Sequence, residues 1–179
     1  MELATSFVDP TFADRVLKVN HAGEHGAVNI YAGQIFVARL TAPGLVGELR
    51  EFKSHEERHR ATFWAELVRR GRPRCRSYAL CGLGGFMLGF VTGILGRRAI
   101  AATTVAVERV VLRHLAHQLS VLRGRDSAAT AAIASIVEDE QQHHDRSALH
   151  SRAGGFWPAV LTPVVSVSTE LVIWSGMRL

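Results

Sequence analysis

The sequence predicts an all-α fold: a ferritin-like four-helix bundle with additional apolar, membrane-interacting helices. Three observations carry it. A Glu-x-x-His pair occurs in each half of the 179-residue chain, at Glu56/His59 and at Glu140/His143. A lone glutamate, Glu24 or Glu108, stands 32 positions before each pair's glutamate, so the two sets are offset by a constant 84 residues. Two apolar stretches, 77–96 and 156–177, remain outside the four helices that carry these residues. One Glu-x-x-His is commonplace on a solvated helix face. A glutamate falls on one specified position by chance only about 6% of the time, so two matched spacings are informative. Two lone glutamates and two Glu-x-x-His pairs on four helices form the inward-facing ligand set of a ferritin-like di-iron or di-manganese site. The whole chain, 1–179, reads as a single such domain.

Asp9-Pro10 is an N-cap followed by proline at the first helical position, which starts a helix running to about Arg39. Thr41-Ala42-Pro43-Gly44 breaks it. The second helix spans about Leu45 to Arg70. Its Leu45, Leu49, Phe52, Glu56, His59, Phe63 and Leu67 recur at spacings of three or four, so the core stripe itself carries the Glu-x-x-His. Charged groups on a core stripe are costly unless paired or bound to metal. A basic loop follows, with Arg69, Arg70, Arg72, Arg74 and Arg76 around Gly71 and Pro73.

Ser77 to Gly96 holds 20 residues without charge, but also six glycines, with Arg97-Arg98 closing the far end. Positive charge at both ends conflicts with the usual orientation asymmetry of a span. A helix or bent hairpin lying in the membrane interface fits better. The alternative is a helix packed inside the domain through Gly85, Gly89 and Gly93. The next helix, about Ala99 to Arg123, places Glu108 on its inner stripe with Val105, Leu112, Leu115 and Leu119. Gly124-Arg125-Asp126 turns the chain. Asp126 or Ser127 caps a helix expected to continue to about Arg152, and Gly154-Gly155 ends it. Glu108 and Glu140 then reach nearly equal heights on an antiparallel pair; Glu24 and Glu56 are skewed by about one turn. The last segment, Phe156 to Met177, is interrupted by Pro158 and Pro163. It reads as a helix beginning near Pro163 that packs on the bundle or dips into lipid, too interrupted for a span.

In each Glu-x-x-His the two side chains share a helix face and can hold one metal, and the lone glutamates bridge or complete the centres. Carboxylates with one imidazole each favour iron or manganese over zinc. His114, His144 and Asp145, with Asp139 and Glu57, are candidates for contacts that orient the ligands. His55, His117 and His150 read as surface groups.

Composition narrows the partners. The chain is 47% hydrophobic, with mean hydropathy +0.11, net charge +5 and an isoelectric point near 10. A basic surface suits an anionic partner. The few aromatics and the absence of a recognition motif argue against nucleic acid and for a membrane lipid surface. Cys75 and Cys81 have neither redox nor zinc spacing, and the first nine residues lack the apolar core of a signal peptide.

The segments Asp14–Glu24 (DRVLKVNHAGE), Ile30–Gln34 (IYAGQ), Thr104–Glu108 (TVAVE) and Asp139–Asp145 (DEQQHHD) together resemble the demethoxyubiquinone hydroxylase family of ubiquinone biosynthesis. The resemblance covers nearly the whole chain. It implies a di-iron monooxygenase that hydroxylates the ring of a polyprenyl methoxy-methyl-benzoquinone, with two Fe ions as cofactor and dioxygen and a reduced nicotinamide as co-substrates. It implies Glu24, Glu56, His59, Glu108, Glu140 and His143 as the metal ligands. It also implies a peripheral protein on the cytoplasmic side of a bacterial inner membrane, or on the mitochondrial inner membrane, alone, as a homo-oligomer or in a quinone-biosynthesis complex. The chain departs from the family at His25 and Leu115, where tyrosine is usual, and at Arg109, where glutamate is usual. Two other readings compete: a ferritin-like iron or manganese oxidase without a quinone substrate, and a non-catalytic quinone- or lipid-binding protein.

Overall fold

Helix α1 (Pro10–Thr41) is the spine of the first half, and a single 3-10 turn (Pro43–Leu45) connects it to α2 (Val46–Arg69). These elements come from a computed structural model, which describes residues 10–151 and 155–178. After the basic loop come α3 (Tyr78–Ile94), α4 (Arg97–Leu122), α5 (Ser127–Ala134), α6 (Val137–His150) and α7 (Phe156–Gly176). Every described regular element is helical. Helix α1 packs on α2 and α3, while α4 packs on α5, α6 and α7. Each half is therefore a long helix flanked by one Glu-x-x-His helix and one apolar helix.

Two apolar clusters bracket the middle of the bundle. Leu17, Phe63, Leu67, Leu115, Leu122, Ile133 and Ile136 fill one end. Tyr31, Ile35, Leu45, Leu49, Phe52 and Ile100 fill the other. In the second cluster the rings of Tyr31 and Phe52 meet edge to face, 5.8 Å apart, and set the register of α1 against α2. Glu24 lies two turns below Tyr31 and Glu56 one turn below Phe52, so the expected skew of the first pair is present. The length of the glutamate side chains absorbs it.

Helix α3 is one helix rather than a hairpin, and the alternative of glycine packing inside the domain is what its inner face shows. Its glycine face meets α1 backbone to backbone. A Cβ added at Gly89 would stand 1.9 Å from the Ile30 carbonyl oxygen, and one at Gly85 2.3 Å from that of Gly26. No larger residue permits this approach. The opposite face exposes Leu80, Leu83, Met87, Val91 and Ile94. Gly96, at φ 86°, then reverses the chain into α4.

Two helix boundaries differ from expectation. The fourth bundle helix is broken at Ser135–Ile136 into α5 and α6. The Ser135 hydroxyl donates to the Ala132 carbonyl at 2.8 Å, and the Ile136 N–H bonds Ile133 instead of that carbonyl. Asp126 caps α5, its carboxylate accepting from the Ala129 N–H at 2.9 Å and binding Arg70 through two bonds of 2.7 and 2.8 Å. Helix α6 ends at His150; the expected end near Arg152, the stop at Gly154 and the Asp9 cap lie outside the described residues. Helix α7 begins at Phe156, not near Pro163. Pro158 occupies the first turn, where its missing N–H has no partner to lose, and Pro163 is carried inside the helix. The result is 21 uninterrupted residues, long and apolar enough to cross a membrane by length and composition. Along its length it exposes Phe156, Val160, Val164, Val167, Leu171 and Trp174, and it is pinned to α4 by Glu170, which pairs with Arg113 and His114.

Candidate metal centre

Between the two apolar clusters the bundle buries four carboxylates and two imidazoles. Glu24, Glu56, His59, Glu108, Glu140 and His143 are each at most 6% exposed. They form two overlapping groups: Glu24, Glu56, His59 and Glu140, and Glu56, Glu108, Glu140 and His143. Within each group the potential donor atoms lie within 4.8 Å of one another. Glu56 and Glu140 belong to both groups. The shared positions are therefore held by the glutamates of the Glu-x-x-His pairs, and Glu24 and Glu108 each complete one group.

The two halves interlock. His59 Nδ1 is 3.1 Å from Glu140 Oε1 and 3.5 Å from Glu56 Oε2. His143 Nδ1 is 3.1 Å from Glu56 Oε1 and 3.5 Å from Glu140 Oε2. Each imidazole thus lies nearer the glutamate of the other half than the one on its own helix. The Tyr31 hydroxyl donates to Glu108 Oε1 at 3.1 Å, which gives the tyrosine of the Y-A-G-Q segment a function that helical spacing alone does not reveal.

Electrostatics show how much this cluster wants positive charge. Burial and the neighbouring charges of Glu56 and Glu140 push Glu24 and Glu108 well above the ordinary carboxyl range. Burial would also lift Glu56, but the facing imidazoles of His143 and His59, 3.1 and 3.5 Å from its oxygens, outweigh it and hold that carboxyl low. Burial would depress the imidazoles; instead Glu140 and Glu56 raise His143 to about 9, and Glu140, Glu24 and Glu56 raise His59 further. Both oxygens of Glu56, Glu140 Oε2 and His143 Nδ1 are buried without a hydrogen-bond partner. Orphaned acceptors in a core cost about 1–3 kcal/mol each. Lone pairs converging from hard oxygen and imidazole donors fit a pair of divalent iron or manganese ions.

Around this cluster several expectations need correction. Asp139 accepts from His59 Nε2 at 3.0 Å, as an orienting group would. His55, read as a surface group, instead places Nδ1 3.2 Å from His143 Nε2. His114 does not reach the cluster; its Nε2 is 2.8 Å from Glu170 on α7. His144 and Asp145 bond each other at 2.9 Å, because one and two residues beyond His143 the helix has turned them away. Glu57 pairs with Lys53 on an exposed face, and His150 lies 3.3 Å from Glu48. His25 stacks flat on Tyr78 at 4.0 Å with Arg60 3.2 Å from its Nδ1. His21 lies between Trp64 and Tyr78, held near pKa 4 by burial and by Arg74 and Arg60.

A cavity of about 620 Å³ opens from Glu24, Glu56, Glu108 and Glu140 and runs between α1, α3, α4 and α7. Ile30, Leu88, Val107, Val111, Leu171 and Val172 are among its apolar walls, and Arg76 and Ser77 also line it. Both apolar helices therefore line this cavity, and Leu171 and Val172 of α7 are at once cavity wall and partly exposed.

Comparison with known proteins agrees with this architecture. The family model described as ubiquinone biosynthesis protein COQ7 matches residues 11–176. The 3-demethoxyubiquinol 3-hydroxylase of Rhodospirillum rubrum is 37% identical over 168 residues, covering 92% of this chain and 77% of that protein. The mitochondrial NADPH-dependent 3-demethoxyubiquinone 3-hydroxylase of Homo sapiens is 32% identical, covering 93% and 77%. The mitochondrial 5-demethoxyubiquinone hydroxylase of Saccharomyces cerevisiae is 33% identical, covering 94% and 78%.

Proposed function

The chain belongs to the ubiquinone biosynthesis protein COQ7 family, and on that premise we propose that it is a di-iron monooxygenase. Its reaction is hydroxylation of the ring of a polyprenyl methoxy-methyl-benzoquinone. Glu24, Glu56, His59 and Glu140 would hold one iron, and Glu56, Glu108, Glu140 and His143 the other. Two irons so held would supply the electrons and the dioxygen activation that ring hydroxylation requires. A reduced nicotinamide is the ultimate reductant in this reading, in line with the NADPH dependence in the name of the human relative.

The residues of the chain do the rest. The apolar cavity takes the ring and the first part of the tail and keeps bulk water from the carboxylates. Tyr31 fixes the orientation of Glu108. The outer faces of α3 and α7 rest in a lipid surface, so a polyprenyl tail passes from bilayer to cavity between them. Arg76, Arg97, Arg98 and Arg178, near the ends of these helices, face anionic headgroups. The enzyme is thus peripheral to the membrane, a single domain with 77–96 and 156–177 as its lipid-facing segments.

One observation carries the proposal: two overlapping, fully buried four-residue donor groups open directly onto an apolar cavity. A metal oxidase acting on a soluble ion gives that cavity no role. Purified protein should contain about two irons per chain. Supplied with a demethoxyubiquinone, a reductant and labelled dioxygen, it should return a product heavier by one labelled oxygen. Product without label, or no product from the iron-loaded protein, refutes the assignment.

A further inference from the structure

We infer that His55 is a positioning residue for His143, holding its imidazole with Nδ1 turned to the carboxylates by accepting the proton on Nε2. The inference rests on the metal-centre reading and deepens it. His143 is fully buried on α6, and its Nδ1 faces Glu56 Oε1 at 3.1 Å and Glu140 Oε2 at 3.5 Å. A nitrogen that binds a cation must offer a bare lone pair. The ring proton of a neutral His143 must then sit on Nε2, and a buried N–H needs an acceptor. His55 Nδ1, reaching across from α2 at 3.2 Å, is that acceptor. Packing limits ring rotation as well, since the Phe52 ring lies 4.4 Å from that of His143.

The other histidine is held differently. His59 Nε2 has the carboxylate of Asp139 at 3.0 Å. Asp139 Oδ1 also lies 3.5 Å from His55 Nδ1, while the Nε2 of His143 has His55 Nδ1 at 3.2 Å. One imidazole is thus anchored by an anion and the other by a neutral ring. Because His143 belongs only to the group with Glu108, and His59 only to the group with Glu24, losing His55 must act on one metal position and spare the other. Helical spacing hides this role: His55 precedes Glu56 by one residue, about 100° off the core stripe.

The test compares His55→Leu, which keeps bulk but has no acceptor, with His55→Gln, whose side-chain oxygen can accept the same proton. Anaerobic titration of the metal-free protein with ferrous iron should show two binding events in the wild type. His55→Leu should weaken one of them by about 10–100-fold and leave the second unchanged; His55→Gln should restore most of the loss. In zinc-loaded protein labelled with nitrogen-15, the His143 Nε2–H resonance should be present in the wild type and in His55→Gln. It should be exchange-broadened or lost in His55→Leu. Equal ferrous affinity in all three proteins, or equal weakening of both events, overturns the inference. A wild type that binds no metal overturns the metal centre beneath it, a separate result. If His55→Leu does not fold, an Nδ1–H rather than Nε2–H signal for His143 in the wild type still refutes the inference.

Discussion

Metal-free protein should lose stability as pH rises from 6.5 to 9, and metal should abolish that loss. The folded cluster raises His143 from 6.5 to about 9 because Glu56 and Glu140 face its ring. In that interval the native state holds a proton that the unfolded chain has released, so unfolding free energy falls as pH rises. The stabilisation is complete below pH 6.5 and gone above about 9. A displacement of this size is worth about 3 kcal/mol. His59 is raised for the same reason and adds in the same direction. Glu24 and Glu108, raised by burial and by their neighbours, also keep the sign, starting from the ordinary carboxyl range. Glu56, held low, contributes the opposite slope only in acid. For a chain of this length, 3 kcal/mol corresponds to a fall in Tm of about 10 °C. Bound divalent ions need the same donors deprotonated, so metal affinity grows with pH and offsets the loss. Scanning calorimetry of chelated and iron-loaded protein at pH 6.5, 7.5 and 9 checks this. A metal-free Tm that stays level or climbs over that range would refute the account of the cluster.

Three further outcomes follow from particular contacts. Glu140→Ala removes a carboxylate common to both donor groups; iron content should fall below one per chain and turnover by more than about 100-fold, read by metal analysis and product mass. Leu88→Trp places bulk in the cavity wall on α3, so KM for the quinone should rise at least tenfold while iron content is unchanged. Gly89→Ala forces a methyl to within 1.9 Å of the Ile30 carbonyl oxygen; α3 must move off α1, costing about 1–3 kcal/mol, measured as a lower midpoint in urea with unchanged slope.

What could be read from the chain beforehand depended on how local its cause was. The six cluster residues were legible because three-residue spacing within a helix and a repeated offset of 84 are properties of the sequence alone. The ends of α1, α2 and α4 followed from Pro43, the basic loop and Gly124 for the same reason. The break between α5 and α6 was not legible, since it turns on one serine hydroxyl choosing a carbonyl. Helix α7 was misread because Pro158 and Pro163 are breakers in isolation. In place, one sits where no N–H is needed and the other is tolerated by a helix docked on α4. His114 and His55 exchanged expected places for a third reason. The partner of each stands on a different helix, Glu170 on α7 and His143 on α6, and nothing within one helix reports what faces it.

The repeat explains why the cavity lies where it does. Shifting α3 by the same 84 residues lands on 162–178, which overlaps most of α7 (Phe156–Gly176), so the offset that pairs the buried carboxylates and imidazoles also pairs the two apolar helices. Each half alone would bury two carboxylates with one imidazole against an open side; closure comes from the crossed contacts His59–Glu140 and His143–Glu56. The apolar helices, however, are not equivalent. Glycines let α3 lie backbone to backbone on α1, whereas α7 has only Gly176, at its end, and docks through Val165 and the Glu170 pairs. Of the two, α7 is the helix that can part from the bundle without tearing apart a backbone contact. If a polyprenyl tail enters as proposed, it would meet one yielding wall, α7, and one fixed wall, α3, which is locked on the helix that carries Glu24.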